Sequence, residues 1–289
     1  MNILLAPNNY YIMPTIVLLQ SLFDAENDRL DIYVIHSDLT KENIERLNRF
    51  IVKHGGVFHP VFIDADTFSS ACTSFHITKE AYYRLLAQDL LPDDLDRVLY
   101  LDGDLVVQKT LNELYNMSFL GGDGKEKYFV VCEGPGVSKR DYSVYDELGI
   151  PHEYPYFNSG VLLMNLSLLR QTFDSKVLFD FISTHGNNLR FHDQDILNAL
   201  FYDKVIYVDW HIYNQTILHI KDKMEADMRL ADATVIHYAG PDKPWKFDYK
   251  SWYFNLFWQY AIQAGYQKLY TRIIWKRFMW RVRKHFMAF

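Results

Sequence analysis

The sequence predicts an α/β fold built on a mostly parallel sheet. Over the first hundred residues, short apolar runs typical of buried strands alternate with segments of helical periodicity. This alternation favours parallel strands joined by right-handed crossovers. Hydrophobic residues make up 49% of the 289-residue chain, which is enough to build a large core. No internal repeat or low-complexity linker is visible, so residues 1–248 are interpreted as one domain and residues 249–289 as a helical tail.

The apolar runs predict eight strands. In chain order they are NILLA (2–6), DIYVIHSD (31–38), VFHPVFID (57–64), RVLYL (97–101), YFVVCEG (128–134), GVLLMNL (160–166), KVIYVD (204–209) and ATVIHY (233–238). Pro60 interrupts the third run, which indicates an edge strand or a bend because proline cannot donate to a ladder.

Helical periodicity predicts five helices between these strands. They cover residues 14–23, 41–55, 80–90, 176–183 and 193–201. Pro14 suits the first turn of the first helix. Thr40 is a good N-cap for the second helix, which a pair of glycines ends.

The net charge of −6 is unevenly distributed along the chain. Residues 249–289 contain eight Lys or Arg and no Asp or Glu, whereas the first 248 residues carry 22 basic and 36 acidic side chains. A body this acidic repels a phosphate backbone, so we expect no nucleic-acid partner. Two cysteines, Cys72 and Cys132, cannot build a disulfide framework, which favours a reducing cytosol. The sequence has neither a signal peptide nor an apolar run of about 20 residues, so we expect a cytoplasmic protein.

Two carboxylates follow the fourth predicted strand, in the stretch RVLYLDGDLVV (97–107). Residues two apart in an extended chain point to the same side, and Gly103 permits a bend, so Asp102 and Asp104 can converge. Like charges this close are tolerated when a divalent cation lies between them, and Mg²⁺ or Mn²⁺ suits carboxylate oxygens. The alternative is a solvated turn, because Asp-Gly is common turn chemistry.

A third candidate ligand, His237, ends the last predicted strand. A neutral imidazole beside two carboxylates is a reasonable Mn²⁺ site, although a histidine at a strand end can also be purely structural. In the segment HYAGPDKPW that follows, Gly240 permits close backbone approach and Lys243 offers an ammonium group to a phosphate.

Polar residues beside three other predicted elements are candidates for ligand contacts. They are Asn158, Ser159 and Gly160 before the sixth strand, Asp193, Gln194 and Asp195 in the first turn of the last helix, and Arg84 in the helix at 80–90. The first group could instead form a turn, the two aspartates could serve the helix macrodipole, and the arginine could form an ordinary salt bridge. The macrodipole does not account for Gln194.

Taken in order, these motifs resemble glycosyltransferase family 8, the retaining enzymes that include bacterial lipopolysaccharide galactosyl- and glucosyltransferases and the glycogenins. The resemblance runs from Ile3 to Trp245 through LLAPNNYYIMPTIVLLQSL, HITKEAYYRLLA, YLDGDLVV, FNSGVLLMNL, HDQDILN and HYAGPDKPW. It implies a Rossmann-like nucleotide-sugar-binding domain of the GT-A type. It also implies a Mn²⁺-dependent enzyme, with Mg²⁺ as the other candidate ion, that moves glucose or galactose from a UDP-sugar to a glycan, glycolipid or protein acceptor.

The resemblance assigns roles to individual residues. Asp102, Asp104 and His237 match the metal ligands, and Asp193 and Gln194 match catalytic positions. Substrate contacts are implied for Ala6, Asn8, His76, Arg84, Asp102, Gly103, Asn158, Ser159, Asp193, Gly240 and Lys243, with His76 on the acceptor side. The chain departs from the family where Asn8-Asn9-Tyr10-Tyr11 replaces the usual Asp-Asp-Asn-Tyr.

Retention of configuration normally calls for a carboxylate nucleophile or for attack from the leaving-group face. The family position is Gln194, and an amide is a poor nucleophile. We therefore expect front-face substitution through an oxocarbenium-like transition state that this side chain stabilises.

Two other functions fit parts of the sequence. A phosphatase of the haloacid dehalogenase type also has Asp-x-Asp at a strand end, but there the pair follows the first strand of the core. A non-catalytic sugar-nucleotide-binding protein would share most of the site residues.

The basic tail predicts a helix that lies on an anionic inner membrane leaflet. Trp275, Phe278, Met279, Val282 and Phe286 follow helical spacing, and basic residues flank that arc. The alternative is a C-terminal helix packed on the body.

Overall fold

The computed structural model describes residues 1–68, 79–134, 143–218, 220, 222–249 and 253–286. Within these ranges the strands are β1 (Asn2–Leu5), β2 (Asp31–His36), β3 (Val57–Phe62), β4 (Arg97–Leu101), β5 (Leu105–Val107), β6 (Phe129–Glu133), β7 (Phe157–Asn165), β8 (Val205–Val208), β9 (Gln215–Thr216) and β10 (Val235–His237). Seven of them form one sheet in the order β3-β2-β1-β4-β7-β6-β8, and the other three form a smaller sheet in the order β5-β10-β9.

Helices cover both faces of the large sheet. They are α1 (Ile12–Ala25), α2 (Lys41–Lys53), α3 (Glu80–Tyr83), α4 (Ala87–Leu90), α5 (Asn112–Tyr115), α6 (Ser143–Leu148), α7 (Leu166–Thr172), α8 (Lys176–His185), α9 (Asp193–Phe201), α10 (Trp210–Tyr213), α11 (Lys223–Asp232), α12 (Phe254–Gln263) and α13 (Gln267–Phe286). Short 3₁₀ turns occur at Asn9–Tyr11, Arg84–Leu86 and Gly186–Asn188.

The large sheet is mixed but mostly parallel, which confirms the predicted fold class. Only β7 runs against its neighbours β4 and β6 among the described strands, and the other pairs are parallel. Leu4 packs into the core on one face of the sheet, while Ile3 and Leu5 pack into the core on the other. Strands buried on both faces read as continuous apolar runs, which is why the sequence revealed them. Pro60 lies in β3, an edge strand.

All eight predicted strands occur; β4 has the predicted ends, and the others are shifted by one or more residues. The sequence suggested that Asn158 and Ser159 lie before the strand. β7 begins at Phe157, so both residues lie inside it. The ATVIHY run contributes β10 to the small sheet and not to the large one. The helix predicted at 80–90 is divided by a 3₁₀ turn, whereas Thr40 caps α2 as expected by accepting the Asn43 N–H.

The small sheet fixes the position of His237. β10 is antiparallel to β5 with His237 opposite Leu105, and it is parallel to β9 with His237 opposite Thr216. Because Leu105 directly follows Asp104, this register places His237 beside the Asp-Gly-Asp turn.

The last two helices, α12 and α13, differ in how much of their surface is buried. Phe257 and Trp258 of α12 are fully buried in a cluster that extends under the small sheet, and Ile273 of α13 joins the same cluster. Trp275 and Phe278, on another side of α13, remain 62% and 59% exposed. None of the described helices combines the length and the apolar character needed to cross a bilayer.

Candidate active site

Backbone hydrogen bonds hold the Asp-Gly-Asp turn between two strands. The Asp102 N–H donates to the Gly160 carbonyl of β7 over 2.8 Å, and the Tyr238 N–H donates to the Asp104 carbonyl over 3.1 Å. The turn that follows β4 is therefore fixed on one side by β7 and on the other by the segment that ends β10.

Three candidate ligands converge at this turn. The ligand atoms of Asp102, Asp104 and His237 all lie within 4.8 Å of one another. His237 Nε2 is 3.5 Å from Asp104 Oδ1 and 3.8 Å from Asp102 Oδ2. Two carboxylate oxygens and an imidazole nitrogen at these separations fit a divalent cation of the Mn²⁺ or Mg²⁺ type.

The second oxygen of each carboxylate already has a protein partner. Asp102 Oδ1 accepts the Tyr100 hydroxyl over 2.7 Å and lies 3.0 Å from Arg84 Nη1. Asp104 Oδ2 is paired with Lys243, whose ammonium also donates to the Tyr238 carbonyl. Burial by itself would raise the pKa of Asp104, but nearby positive charge, above all the Lys243 ammonium, outweighs it and lowers that pKa. Both side chains are thus oriented so that their remaining oxygens face His237.

Gly160 leaves the space that this cluster needs. A Cβ atom at this position would lie 2.5 Å from His237 Cε1 and 2.8 Å from Asp102 Oδ2. These distances are too short for any side chain, so the glycine is a steric requirement of the site.

Arg84 ties the turn to the start of α9. Its guanidinium is 95% buried and contacts Asp102 Oδ1 at 3.0 Å and Asp193 Oδ2 at 3.1 Å. It also donates to the Ser159 carbonyl over 2.7 Å and lies 4.1 Å from the centre of the Tyr100 ring. The salt-bridge alternative for this arginine is therefore realised, in the form of a buried pair of bridges.

Asp193 has a perturbed proton affinity. Burial raises its pKa to about 6, because desolvation outweighs the attraction of Arg84 and the nearby charge of Asp102 adds to the rise. Arg84 divides its charge between two carboxylates and so compensates neither fully.

We expect this pKa to appear in the stability of the metal-free protein. A folded-state pKa near 6, above the ordinary value of 3.8, means that the stability contributed by Asp193 is full below pH 4 and is lost as pH rises through 6. Two pKa units correspond to about 3 kcal/mol. The asparagine side chain of Asp193→Asn cannot titrate. The free energy of unfolding of this variant minus that of the wild type should therefore rise by about this amount between pH 4 and pH 7.

Denaturant titrations at several pH values measure this difference. Asp123→Asn is the control: hydrogen bonds from the Lys127 ammonium and the Lys125 N–H lower the pKa of Asp123, and neither partner titrates between pH 4 and pH 7. Its contribution is therefore lost only as pH falls below about 4, and its difference from the wild type should stay flat over the same window. A flat difference for Asp193→Asn would contradict the raised pKa.

Gln194 is held as an oriented dipole. Its Oε1 accepts the Ser159 N–H over 3.1 Å and the Asn158 amide over 2.9 Å. His192 begins this turn of α9 with a φ of 52°, uncommon for a residue with a side chain, and its ring contacts the Tyr82 hydroxyl. Asp195 instead accepts the N–H groups of residues 190 and 191, in the segment that leads into α9.

One cavity of about 460 Å³ contains the predicted site. Its lining includes Ala6, Asn8, Arg84, Asp102, Gly103, Asp104, Asn158, Ser159, Asp193, Gln194, His237, Gly240 and Lys243. Of the candidates named from the sequence, Gly160 and Asp195 are not among the lining residues, and His76 lies outside the described residues. Tyr11, Tyr156 and Thr216 also line the cavity and were not predicted.

Two further residues of the site escaped the sequence analysis. Tyr100 orients Asp102, and the two-residue spacing along an extended chain could have revealed it. Asn214 contacts His237 Nδ1 at 2.8 Å. It follows α10 in a segment without a motif, and no signal in the sequence points to it.

Comparisons with known proteins agree on one family. The family model described as glycosyl transferase family 8 matches residues 2–248. The lipopolysaccharide 1,2-glucosyltransferase of Escherichia coli is 30% identical over 291 aligned positions, gaps included, and the match covers 96% of this chain and 80% of that protein. General stress protein A of Bacillus subtilis is 27% identical over 255 residues, or 83% of this chain and 85% of that protein.

The fold is similar to that of a galactosyltransferase of known structure. The galactosyltransferase LgtC, solved with donor and acceptor sugar analogues, superposes with a TM-score of 0.78 at 25% identity. The similarity covers 92% of this chain and 96% of that one. The chain thus has a fold of the GT-A type, as the resemblance implied.

Proposed function

The chain belongs to glycosyltransferase family 8 as a hexosyltransferase, and we propose that it moves glucose or galactose from a UDP-hexose to a glycan, glycolipid or glycoprotein acceptor with retention of configuration. The observation that carries the proposal is the cluster of Asp102, Asp104 and His237, which opens into a cavity that also holds Arg84 and Lys243. Two acidic ligands beside two cationic side chains suit a diphosphate held through a metal ion.

Mn²⁺ is the proposed ion, because an imidazole makes the site softer than the all-oxygen sites that Mg²⁺ prefers. When bound, the ion supplies Lewis-acid stabilisation of the charge that develops on the leaving UDP. Asp102 and Asp104 would hold it with the oxygens that Arg84 and Lys243 leave available.

The protein groups around the cluster would orient the donor. Lys243 and Gly240 follow β10 at the cavity wall, where an ammonium and an accessible backbone can contact a diphosphate. Asn8 caps the 3₁₀ turn Asn9–Tyr11 through its side-chain oxygen, and so fixes the loop that brings Ala6 and Asn8 to the cavity for uracil and ribose contacts. Asn8 differs from the residue that is usual in the family, but its side chain still has a structural role as the cap of this turn.

The catalytic step proposed here needs no protein nucleophile. Asp193 is paired with Arg84, and Gln194 accepts two N–H groups, so neither is poised to attack an anomeric carbon. In front-face substitution, the acceptor hydroxyl attacks on the side from which UDP leaves and passes its proton to the departing phosphate oxygen. The fixed dipole of Gln194 would stabilise the positive charge on the sugar ring.

A panel of UDP-sugars tests this function. Purified protein should release UDP from UDP-glucose or UDP-galactose, a chelator should abolish the release, and Mn²⁺ should restore it. Donor binding without release from any UDP-hexose would favour the non-catalytic alternative. Release of inorganic phosphate from a phosphomonoester such as p-nitrophenyl phosphate would favour the phosphatase alternative. That alternative also requires the acidic pair after the first strand, whereas here it follows β4.

We further propose that α13 attaches the enzyme to an anionic membrane surface at the inner face of the cytoplasmic membrane. Ile274, Trp275 and Phe278 form an exposed apolar arc. Exposed Lys268, Arg272 and Lys276 lie along one side of it, while Ile273 faces the body. Amphipathic helices with aromatics and cations arranged in this way bind the interface of anionic bilayers.

Replacing Trp275 and Phe278 together with serine should lower binding to vesicles that contain phosphatidylglycerol by at least about tenfold, since each ring contributes a kcal/mol or more of burial. Sedimentation with vesicles measures this binding. A matched control replaces Met224 and Met228, which are 71% and 65% exposed on α11, with serine. Equal binding by wild type and both variants would rule out α13 as the attachment.

A further inference from the structure

Three amide side chains form a continuous line between His237 and Gln194. His237 Nδ1 lies 2.8 Å from Asn214 Oδ1, Asn214 Nδ2 lies 2.8 Å from Asn158 Oδ1, and Asn158 Nδ2 lies 2.9 Å from Gln194 Oε1. We propose that Asn214 is a positioning residue that holds His237 in the tautomer whose Nε2 is free to bind the metal ion. The inference rests on the metal site of the proposed function.

Backbone groups determine which end of each amide is oxygen. The Gly160 N–H donates to Asn158 over 2.9 Å, and the Ser159 N–H donates to Gln194 over 3.1 Å. A backbone N–H can only donate, so the atom it meets on each side chain is the carbonyl oxygen. The orientations of Asn158 and Gln194 are therefore fixed by the chain itself.

This polarity passes along the line to the imidazole. Because the Asn158 atom that faces Asn214 is an oxygen, the Asn214 atom that meets it is the NH₂ group. The other end of Asn214, which faces His237 Nδ1, is then an oxygen and can only accept. His237 Nδ1 must carry the hydrogen, and in a neutral imidazole Nε2 then bears a lone pair.

The tautomer decides whether the cluster can accept an ion. With Nε2 unprotonated, three acceptor atoms face one another across 3.5 and 3.8 Å, an arrangement that a cation stabilises. With the proton on Nε2, this nitrogen would donate to Asp104 Oδ1, and its hydrogen would lie where the ion would bind. Asn214 disfavours that second form, because an unprotonated Nδ1 would then face the Asn214 Oδ1 with one lone pair against another.

Burial and the local fold hold Asn214 in contact with His237. Asn214 is 1% exposed and His237 is 3% exposed, so bulk water does not reach their contact. Asn214 lies two residues before Thr216, which pairs with His237 between β9 and β10. The Asn214 N–H donates to the Trp210 carbonyl at the end of α10. The fold therefore sets the amide beside the imidazole. Partners of this kind typically change metal affinity by about 10- to 100-fold.

Substituting Asn214→Leu tests the inference. In metal-free protein at neutral pH, ¹⁵N spectra of labelled histidine should place the hydrogen on Nδ1 of His237 in the wild type and move it toward Nε2 in the variant. His237→Asn identifies the signal among the 11 histidines of the chain. Mn²⁺ affinity, measured directly by electron paramagnetic resonance, should fall by about 10- to 100-fold in Asn214→Leu.

Two further variants make the result specific. Asn198→Leu is the matched control: Asn198 is also a fully buried amide, but within the described residues its side chain bonds to backbone groups of residues 157 and 194 and not to His237. It should lower stability while leaving the tautomer and Mn²⁺ affinity as in the wild type. Asn214→Asp keeps the acceptor and should keep the Nδ1 proton, so it serves if the leucine variant does not fold.

An unchanged Nδ1 proton in folded Asn214→Leu, or its loss in Asn214→Asp, would overturn the inference. So would a Mn²⁺ affinity that falls as far in Asn198→Leu as in Asn214→Leu. The tautomer is read without metal or sugar, so it stays interpretable even if wild-type protein fails to release UDP, which is the failure of the proposed function.

Discussion

Asp104→Asn should lower the Mn²⁺-dependent release of UDP by about 10³-fold, because a metal ion contributes several kcal/mol to the stabilisation of the leaving group and each 1.4 kcal/mol is a factor of ten. Asparagine keeps an oxygen for the buried ammonium of Lys243, whereas alanine would leave that cation without its partner. The loss should therefore come from the ligand set and not from unfolding. Steady-state UDP release at saturating Mn²⁺, with thermal melts of both proteins, measures it.

The control for this substitution is Asp31→Asn, which removes a paired carboxylate at the start of β2, away from the cavity. It should release UDP at the wild-type rate. Metal-dependent activity that survives in Asp104→Asn would remove this carboxylate from the metal site and, with it, the main support for a metal-held diphosphate.

A second variant reaches the same cluster without changing a ligand. In Gly160→Ala the new methyl group would lie 2.5 Å from the imidazole of His237 and 2.8 Å from Asp102 Oδ2, so the ligands must separate and Mn²⁺ affinity should fall. Gly122→Ala, where nothing lies within 4 Å, should leave the affinity unchanged. Loss of Mn²⁺-dependent function in both Gly160→Ala and Asp104→Asn would indicate that the three ligands share one ion.

The sequence was sufficient for the parts of the fold that depend on local pattern. Strands such as β1 and β4 are apolar on both faces, and each therefore appears as an unbroken run whatever its neighbours are. The caps and glycines that bound α2 act within a few residues of each other. The Asp-Gly-Asp turn could be found for the same reason, because its two carboxylates share one side of a single extended segment.

Features that depend on contacts between residues far apart in the chain could not be predicted from local sequence patterns. β10 has the composition of a core strand, and only its register against β5 shows that it builds the smaller sheet and brings His237 to Asp104. Hydrogen bonds between amides need no particular spacing, so the line through Asn214 and Asn158 joins residues 56 positions apart without any pattern in the sequence. The sequence left open whether Arg84 forms a salt bridge, because its partners Asp102 and Asp193 lie in other parts of the fold.

Gln194→Ala should lower kcat by about 10²- to 10³-fold while leaving UDP affinity within about twofold, because a fixed dipole that acts on developing charge stabilises the transition state more than the bound donor. The site already prepares this dipole: the Ser159 N–H and the Asn158 amide hold its oxygen before any sugar binds. Turnover of the preferred UDP-hexose and calorimetric titration with UDP separate the two quantities. Gln88→Ala, a buried amide that bonds to Ser175 and Asp89, is the control and should change neither.

The same experiment separates the two routes to retention. In double displacement a carboxylate would form a bond to the sugar, and mass spectrometry of protein trapped with a slow donor would find a glycosyl adduct on Asp193 or on another acidic residue. Asp193 is 97% buried, is paired with Arg84 and accepts the Ser159 hydroxyl, so becoming a nucleophile would break two contacts inside a low-dielectric site. Front-face substitution breaks neither, and it predicts that no adduct accumulates even when Gln194 is removed and the chemical step is slow. An adduct in either protein would exclude this route and would assign retention to the residue that carries the sugar.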